Sequence, residues 1–272
     1  MNPWTLWWTA TGLALMSVLP RPAQAQDDPA SGQGLRRIEL QAGQDRLSAG
    51  YANWQDASAR GDYRLGDHLW SAELLHATRF GERGSFAGLQ DRVHIAPRWD
   101  ASLHYGVGEG SRWLPRDRVD GFVHHSLGQH DNWVTHLGAG YYRASDEHRD
   151  RWASVGLTAY LEPYVRGPWV VEGELRWTQS NPGAVNTRQQ FLALTWGHQG
   201  ATVVTARHGW GREGWQSLGD AVGIVNFGSR QDTLTLQQWF SPEWGIKLSA
   251  DHYRNDTYTR RGLSLAVFRQ WP

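Results

Sequence analysis

The sequence contains no cysteine, which excludes disulfide scaffolds, zinc–thiolate sites, iron–sulfur clusters and a lipidated amino-terminal cysteine. Neither sign of charge is in excess. Lys and Arg number 27 and so do Asp and Glu, so the electrostatic footprint of a nucleic-acid binder is missing. Long hydrophobic runs are nearly absent as well: Thr9 to Leu19 is the only sustained apolar stretch. A mean hydropathy of −0.59 excludes a polytopic helical membrane protein. Methionine occurs only twice. Against these shortages stand 17 tryptophans and 31 glycines among 272 residues. Tryptophan at that frequency in an otherwise polar chain is the feature to be explained.

The apolar stretch reads as an export signal. It has the roughly 7–15 residues of a secretory h-region and is shorter than the ~20 needed to span a bilayer as a helix. Ala23-Gln24-Ala25 supplies the small residues a signal peptidase reads, which places cleavage before Gln26. Met1–Trp8 departs from the pattern in having no Lys or Arg. Residues 1–25 are therefore expected to be a signal peptide, 26–34 a polar linker, and 35–272 one domain.

From Leu35 onward no window keeps the i, i+3, i+4, i+7 apolar spacing of a helix while avoiding glycine. Alternation is common instead. Trp169, Val171, Leu175 and Trp177 fall on one face of a strand, with Glu172, Glu174 and Arg176 on the other. Leu263, Leu265 and Val267 alternate with Ser264, Ala266 and Phe268, and Ile246, Leu248 and Ala250 with Lys247, Ser249 and Asp251. One face of each such strand is apolar and the other carries charge or glycine.

Tight turns are expected at Gly66-Asp67, Pro97-Arg98, Gly128–Asp131, Pro163–Pro168, His198–Gly200 and Ser241–Glu243. Between them fall more polar connections, at Asp45–Gly50, Gly81–Ser85, Glu109–Arg116, Ser145–His148, Asn181–Val185, Gly211–Gly228 and Asn255–Thr257. Short turns alternating with longer polar loops match the periplasmic and outer ends of a transmembrane barrel. The pattern predicts an all-β, antiparallel up-and-down transmembrane β-barrel of about 14 strands. Twelve is the alternative if the weak segments Asn53–Arg64 and Ser229–Phe240 do not pair.

Tryptophan placement separates this barrel from a secreted propeller. Trp70, Trp99, Trp133, Trp169 and Trp244 each follow a short turn, and Trp196 and Trp271 sit at the matching ends of descending strands. Trp177 shares a face with Trp169 eight residues away. Eight residues at ~3.3 Å, tilted about 40°, rise about 20 Å, close to the ~25 Å apolar band of a barrel. Indole rings, apolar with a polar tip, collect at both edges of such a band. These eight tryptophans form the expected membrane-interface girdle. Propeller blades hold four strands in about 40–45 residues, whereas here two long strands occupy each repeat.

The segments Ser48-Ala49-Gly50-Tyr51-Ala52-Asn53-Trp54, Ala96-Pro97-Arg98-Trp99, and Ser241-Pro242-Glu243-Trp244-Gly245 through His252-Tyr253-Arg254-Asn255 to Arg261-Gly262-Leu263-Ser264-Leu265 together resemble the YaiO-type outer-membrane β-barrel family. The resemblance implies an outer-membrane location and, in some relatives, association with surface-polysaccharide export. It carries over no catalytic residues. Leu263–Trp271 is an alternating strand ending on an aromatic, the form in which outer-membrane barrels commonly end.

Chemical motifs are otherwise missing. The sequence has no G-x-S-x-G, no H-E-x-x-H and no P-loop. In His124-His125-Ser126, adjacent strand residues point to opposite faces and cannot form a nucleophile–base pair. His104 and His136 fall on inward faces, but no two histidines stand at i, i+2 on one strand, so no metal site is expected. The expected lumen lining includes Glu172, Glu174 and Arg176, with Lys247, Asp251 and Tyr253 on the penultimate strand, Arg60 on the second and Arg92 on the fourth. Its charge is mixed, which predicts weak ion selectivity. Trp113, Trp210 and Trp215 fall in loops, where they serve the outer girdle or stack on sugars.

These features predict a non-enzymatic outer-membrane barrel without cofactor: a narrow or plugged conduit, or an envelope-structural component, linked to surface-polysaccharide export. The alternative is a lipid- or lipopolysaccharide-modifying barrel enzyme. Expected partners are outer-membrane lipid and lipopolysaccharide, the barrel-assembly machinery and polysaccharide, and no nucleic acid.

Overall fold

The computed structural model describes residues 36–162, 167–219 and 222–271. The expected signal peptide and linker, residues 1–34, and residues 163–166 of one expected turn lie outside these. Fourteen strands follow one another: β1 (Arg36–Leu47), β2 (Trp54–Leu65), β3 (His68–Arg79), β4 (Glu82–Ala96), β5 (Trp99–Glu109), β6 (Pro115–Leu127) and β7 (Trp133–Ala144). The second half comprises β8 (Arg149–Tyr160), β9 (Trp169–Asn181), β10 (Val185–Gly197), β11 (Thr202–Ser217), β12 (Gly223–Trp239), β13 (Trp244–Asn255) and β14 (Thr259–Trp271). Each pairs antiparallel with its chain neighbours. β14 returns to β1, with Arg36 opposite Trp271 and Leu47 opposite Arg260, so the sheet closes without an edge. Closure is what allows strands to cross a membrane, since every backbone group inside lipid must be paired. No described helix is long and apolar enough to cross a membrane.

The 14-strand count holds because both weak segments pair, as β2 and β12. The polarity of Gln55–Arg64 reflects the inward face of β2, where Asp56, Ser58, Arg60 and Asp62 point away from lipid. The outer wall is apolar. Leu40, Leu74, Leu103, Leu137, Leu192, Leu234 and Leu263 are all exposed, on strands spread around the ring. A belt of this kind is a cost in water and the required surface in a bilayer.

Loop lengths differ from expectation. Strand ends Arg36 and Trp271 define one rim, here the terminal rim; its connections run from two residues (66–67) to eight (161–168). On the far rim they run from two (80–81) to six (48–53), so the expected long outer loops are absent. The largest correction is Gly211–Gly228, expected as a loop. β11 and β12 continue through most of it, with Glu213 opposite Phe227 and Ser217 opposite Gly223, and only 218–222 connect them.

Inside, large rings lie flat on the wall because a neighbouring strand offers glycine. A Cβ on Gly140 would stand 2.3 Å from Trp152 Nε1, and one on Gly106 2.2 Å from Phe86 Cζ. These glycines are needed for close approach, not for unusual backbone angles.

Candidate functional site

The inward side chains form three tiers. Nearest the terminal rim, Arg37 donates to Glu39 at 2.5 Å and Lys247 of β13 donates to the same carboxylate. Arg37 also covers the Phe268 ring at 3.9 Å. Beside them, Arg60 donates to Asp62 at 2.8 Å and to Ser71 at 2.9 Å. Arg92 pairs with Asp100 at 3.3 Å.

The middle tier is buried and charged. Asp120 accepts from Arg118 Nε at 2.5 Å and from Trp152 Nε1 at 3.1 Å. His104 lies between Asp120 and Glu73, 3.4 Å from each. Arg176 donates to Glu174 at 2.8 Å and covers the Trp152 ring at 4.4 Å. His136 stands 3.8 Å from Glu174 and its ring centroid is 5.9 Å from that of His124. Neither imidazole has a hydrogen-bond partner among the described residues. No three His, Asp or Glu residues are placed to hold a metal ion among the described residues.

The third tier closes the far rim. Leu218, from the β11–β12 connection, packs with Tyr253 and Tyr258 and against Leu47, Tyr51 and Phe80. Phe80 belongs to the β3–β4 turn, nearly opposite in the ring, so these groups meet across the mouth. A Cβ on Gly219 would stand 2.8 Å from the Phe80 carbonyl oxygen. Phe80 contacts Trp54 edge-on, with ring centroids 5.0 Å apart. Arg79 is held between the Trp54 and Trp113 rings, 4.7 and 4.6 Å from their centroids, and Arg260 covers Trp54 from another side at 4.7 Å. Polar contacts tie the cap down: Tyr253 donates to Glu213 at 2.9 Å, and Gln216 donates to the Tyr258 hydroxyl at 2.5 Å. Burial pushes the Tyr258 phenol above its ordinary range, so it stays neutral. His148 stacks on Trp215 at 4.1 Å.

Trp113 corrects its sequence reading. It is 2 % exposed, packed with Leu75, Ala77, Phe86 and Leu114 inside the barrel, and reaches neither lipid nor a sugar. The apolar Leu114-Pro115 beside it, in an otherwise polar connection, was the available signal. Trp215 likewise faces His148, while Trp210 stacks on His208 at 5.1 Å on the outer wall. The sequence-predicted lumen residues lie on inward faces but are not one cluster. Glu174 and Arg176 meet each other. Lys247 meets Glu39 instead of Asp251, and Asp251 accepts from Arg260 at 3.2 Å. Glu172, on the same inward face, makes no hydrogen bond or ion pair with Glu174 or Arg176. Tyr253 joins the cap and Arg60 and Arg92 the terminal tier.

Of the tryptophans assigned to a girdle, Trp70, Trp99, Trp177, Trp196 and Trp244 are exposed on the outer wall. Trp133, Trp169 and Trp271 are half-buried there. Only Trp177 lies toward the far rim, where Tyr105 and Tyr141 are its outward-facing aromatic companions.

The family model described as YaiO membrane beta barrel domain matches residues 35–216, more than half of the chain. The match includes Ser48–Trp54 and Ala96–Trp99 and stops short of the closing segments from Ser241. Among solved structures, one titled as a bacterial polysaccharide outer membrane secretin is 9% identical. It superposes with a TM-score of 0.56 over 88% of this chain and 99% of its own. The outer membrane protein Omp33 of Acinetobacter baumannii is 12% identical, with a TM-score of 0.51 over 85% of this chain and 97% of its own. At these identities the likeness is one of fold. No curated protein sequence matches the chain.

Proposed function

From the premise that the chain belongs to the YaiO membrane β-barrel family, and so to the bacterial outer membrane, we propose that it is a non-enzymatic, plugged conduit serving surface-polysaccharide export. The observation that carries this reading is the mouth. Leu218, Phe80, Tyr51 and Tyr258 meet across the far rim above a lumen whose polar groups are spread through two further tiers. An enzyme needs polar groups converging on one reacting position, whereas here the ion pairs are distributed along the wall. A lumen of mixed charge with flat aromatic faces suits a neutral or weakly charged sugar chain better than a small ion. The similarity to a barrel titled as a polysaccharide secretin agrees with this reading. The terminal rim then faces the periplasm, where the strand ends meet the assembly machinery.

Planar-bilayer recording tests the proposal. The wild-type barrel is expected to remain silent or nearly so, and a Phe80→Ala/Leu218→Ala variant to show stepwise openings that added polysaccharide blocks. A wide, steady conductance from the wild type, or a silent cap variant that still migrates as a folded barrel, overturns it.

A further inference from the structure

The outer wall carries an arginine on each of six consecutive strands near the far rim. Arg188 of β10, Arg212 of β11, Arg230 of β12, Arg254 of β13, Arg261 of β14 and Arg46 of β1 all face outward and all are exposed. They are at nearly one height. Arg230 stands directly opposite Arg254, and Arg261 directly opposite Arg46. Like charges opposed across a strand pair are destabilising, and these are not relieved from within. The side chains of Arg46, Arg230, Arg254 and Arg261 make no hydrogen bond or ion pair among the described residues. Asp232, the nearby outward carboxylate, is occupied by His208 at 2.7 Å.

The terminal rim is built the other way. There His68 meets Asp91 at 2.7 Å, Arg98 meets Asp131 at 3.0 Å and Arg269 meets Glu243 at 3.0 Å. At the far rim Arg143 is paired with Asp117 on β7 and β6, and Arg212 donates to Asn226 at 2.8 Å, while Arg46, Arg230, Arg254 and Arg261 have no carboxylate on them. Next along the same outward faces come Gln190, Asp232, His252 and Gln44, and beyond this polar step the wall is apolar, with Leu192, Leu234, Ala250, Leu263 and Ala42. At its β10–β11 end, Arg188 and Arg212 line an outward groove of about 500 Å³ with Trp177 and Gln190.

A row of guanidinium groups above an apolar wall calls for a ligand with phosphate groups above acyl chains. Guanidinium pairs with phosphate in a bidentate, charge-assisted fork. One phosphate between Arg230 and Arg254, and another between Arg261 and Arg46, turns each repulsive pair into a clamp. We propose that this face, β10 through β14 and β1, binds a phosphorylated glycolipid of the outer leaflet, with lipid A as the chemical type. The inference rests on the outer-membrane placement and on the far rim facing outward, and it names the lipid partner of that barrel.

The test uses the full mature barrel, folded in detergent, with native mass spectrometry reading bound lipid. The probes are bis-phosphorylated lipid A, dephosphorylated lipid A and phosphatidylglycerol. Wild type is expected to retain bis-phosphorylated lipid A at least about tenfold better than either other lipid, the equivalent of about 1.4 kcal/mol. R230Q/R254Q and R46Q/R261Q, made separately so that one fold failure does not end the test, are each expected to lose about tenfold. R98Q/R269Q at the terminal rim is expected to bind as wild type. Equal retention of dephosphorylated lipid A or phosphatidylglycerol, or unchanged binding by the folded far-rim variants, overturns the proposal. The boiled-versus-unboiled electrophoretic shift is scored on every sample. Its loss in the wild type overturns the barrel reading itself, whereas its retention without lipid selectivity overturns only the site.

Discussion

Asp120 shows what a single lumen residue is asked to do. It is almost wholly buried and accepts from Arg118 and Trp152 while His104 stands 3.4 Å away. A buried charge is tolerated only when paired, and removing one partner strands the other. Asp120→Ala therefore leaves the equally buried Arg118 without its closest acceptor, and the expected loss is about 3–5 kcal/mol. Urea titration of the barrel refolded into vesicles measures it. Adding Arg118→Leu to Asp120→Ala is expected to restore part of that loss, because the two groups are one coupled unit. A double variant as unstable as the sum of both singles would show that each side chain acts alone.

At the scale of the strand, glycine and ring are matched across neighbours. Gly140 of β7 leaves the space that Trp152 of β8 fills, and even a methyl group there would meet the indole nitrogen. Gly140→Ala is expected to cost about 1–3 kcal/mol through overpacking. Gly61→Ala, outward on β2 with its nearest other atom 4.0 Å away, is expected to change stability by no more than about 0.5 kcal/mol. Equal costs at the two sites in the same vesicle titration would remove the packing argument. Strand number and turns such as Gly66-Asp67 and Pro97-Arg98 were legible in the sequence because alternation and turn chemistry are local. The β11–β12 connection was not, since inward residues such as Glu213 and Gln216 have the polarity of a loop until their partners Tyr253 and Tyr258 are known. Trp113 misled for the converse reason: an aromatic in a loop has the same composition whether it turns toward lipid or into the barrel. Alternation assigns side chains to a face, but it does not say that Lys247 will reach Glu39 from the other end of the chain. The six-strand arginine row became visible only once β14 was set beside β1.

For the whole molecule, the inside-out distribution of polarity makes a prediction that no water-soluble fold shares. Leu137 on β7 is 66 % exposed and Leu127 on β6 is 38 % exposed, so in water an arginine at either position would matter little. In a bilayer the two differ by depth. Leu137 lies in the middle of its strand, four residues from Trp133, which begins β7 at the terminal rim. Leu127 lies at that rim, directly opposite Trp133. Leu137→Arg is therefore expected to destabilise the barrel in vesicles by about 2–4 kcal/mol, and Leu127→Arg by about 0–1 kcal/mol. Measuring both in one vesicle composition cancels errors in the extrapolation. Comparable small effects would mean that the leucine belt does not face lipid, and the closed sheet would then need another account of its exposed outer wall. A large difference would fix the membrane midplane near Leu137. It would also place the far-rim arginines at headgroup height, where the proposed phosphate contacts require them.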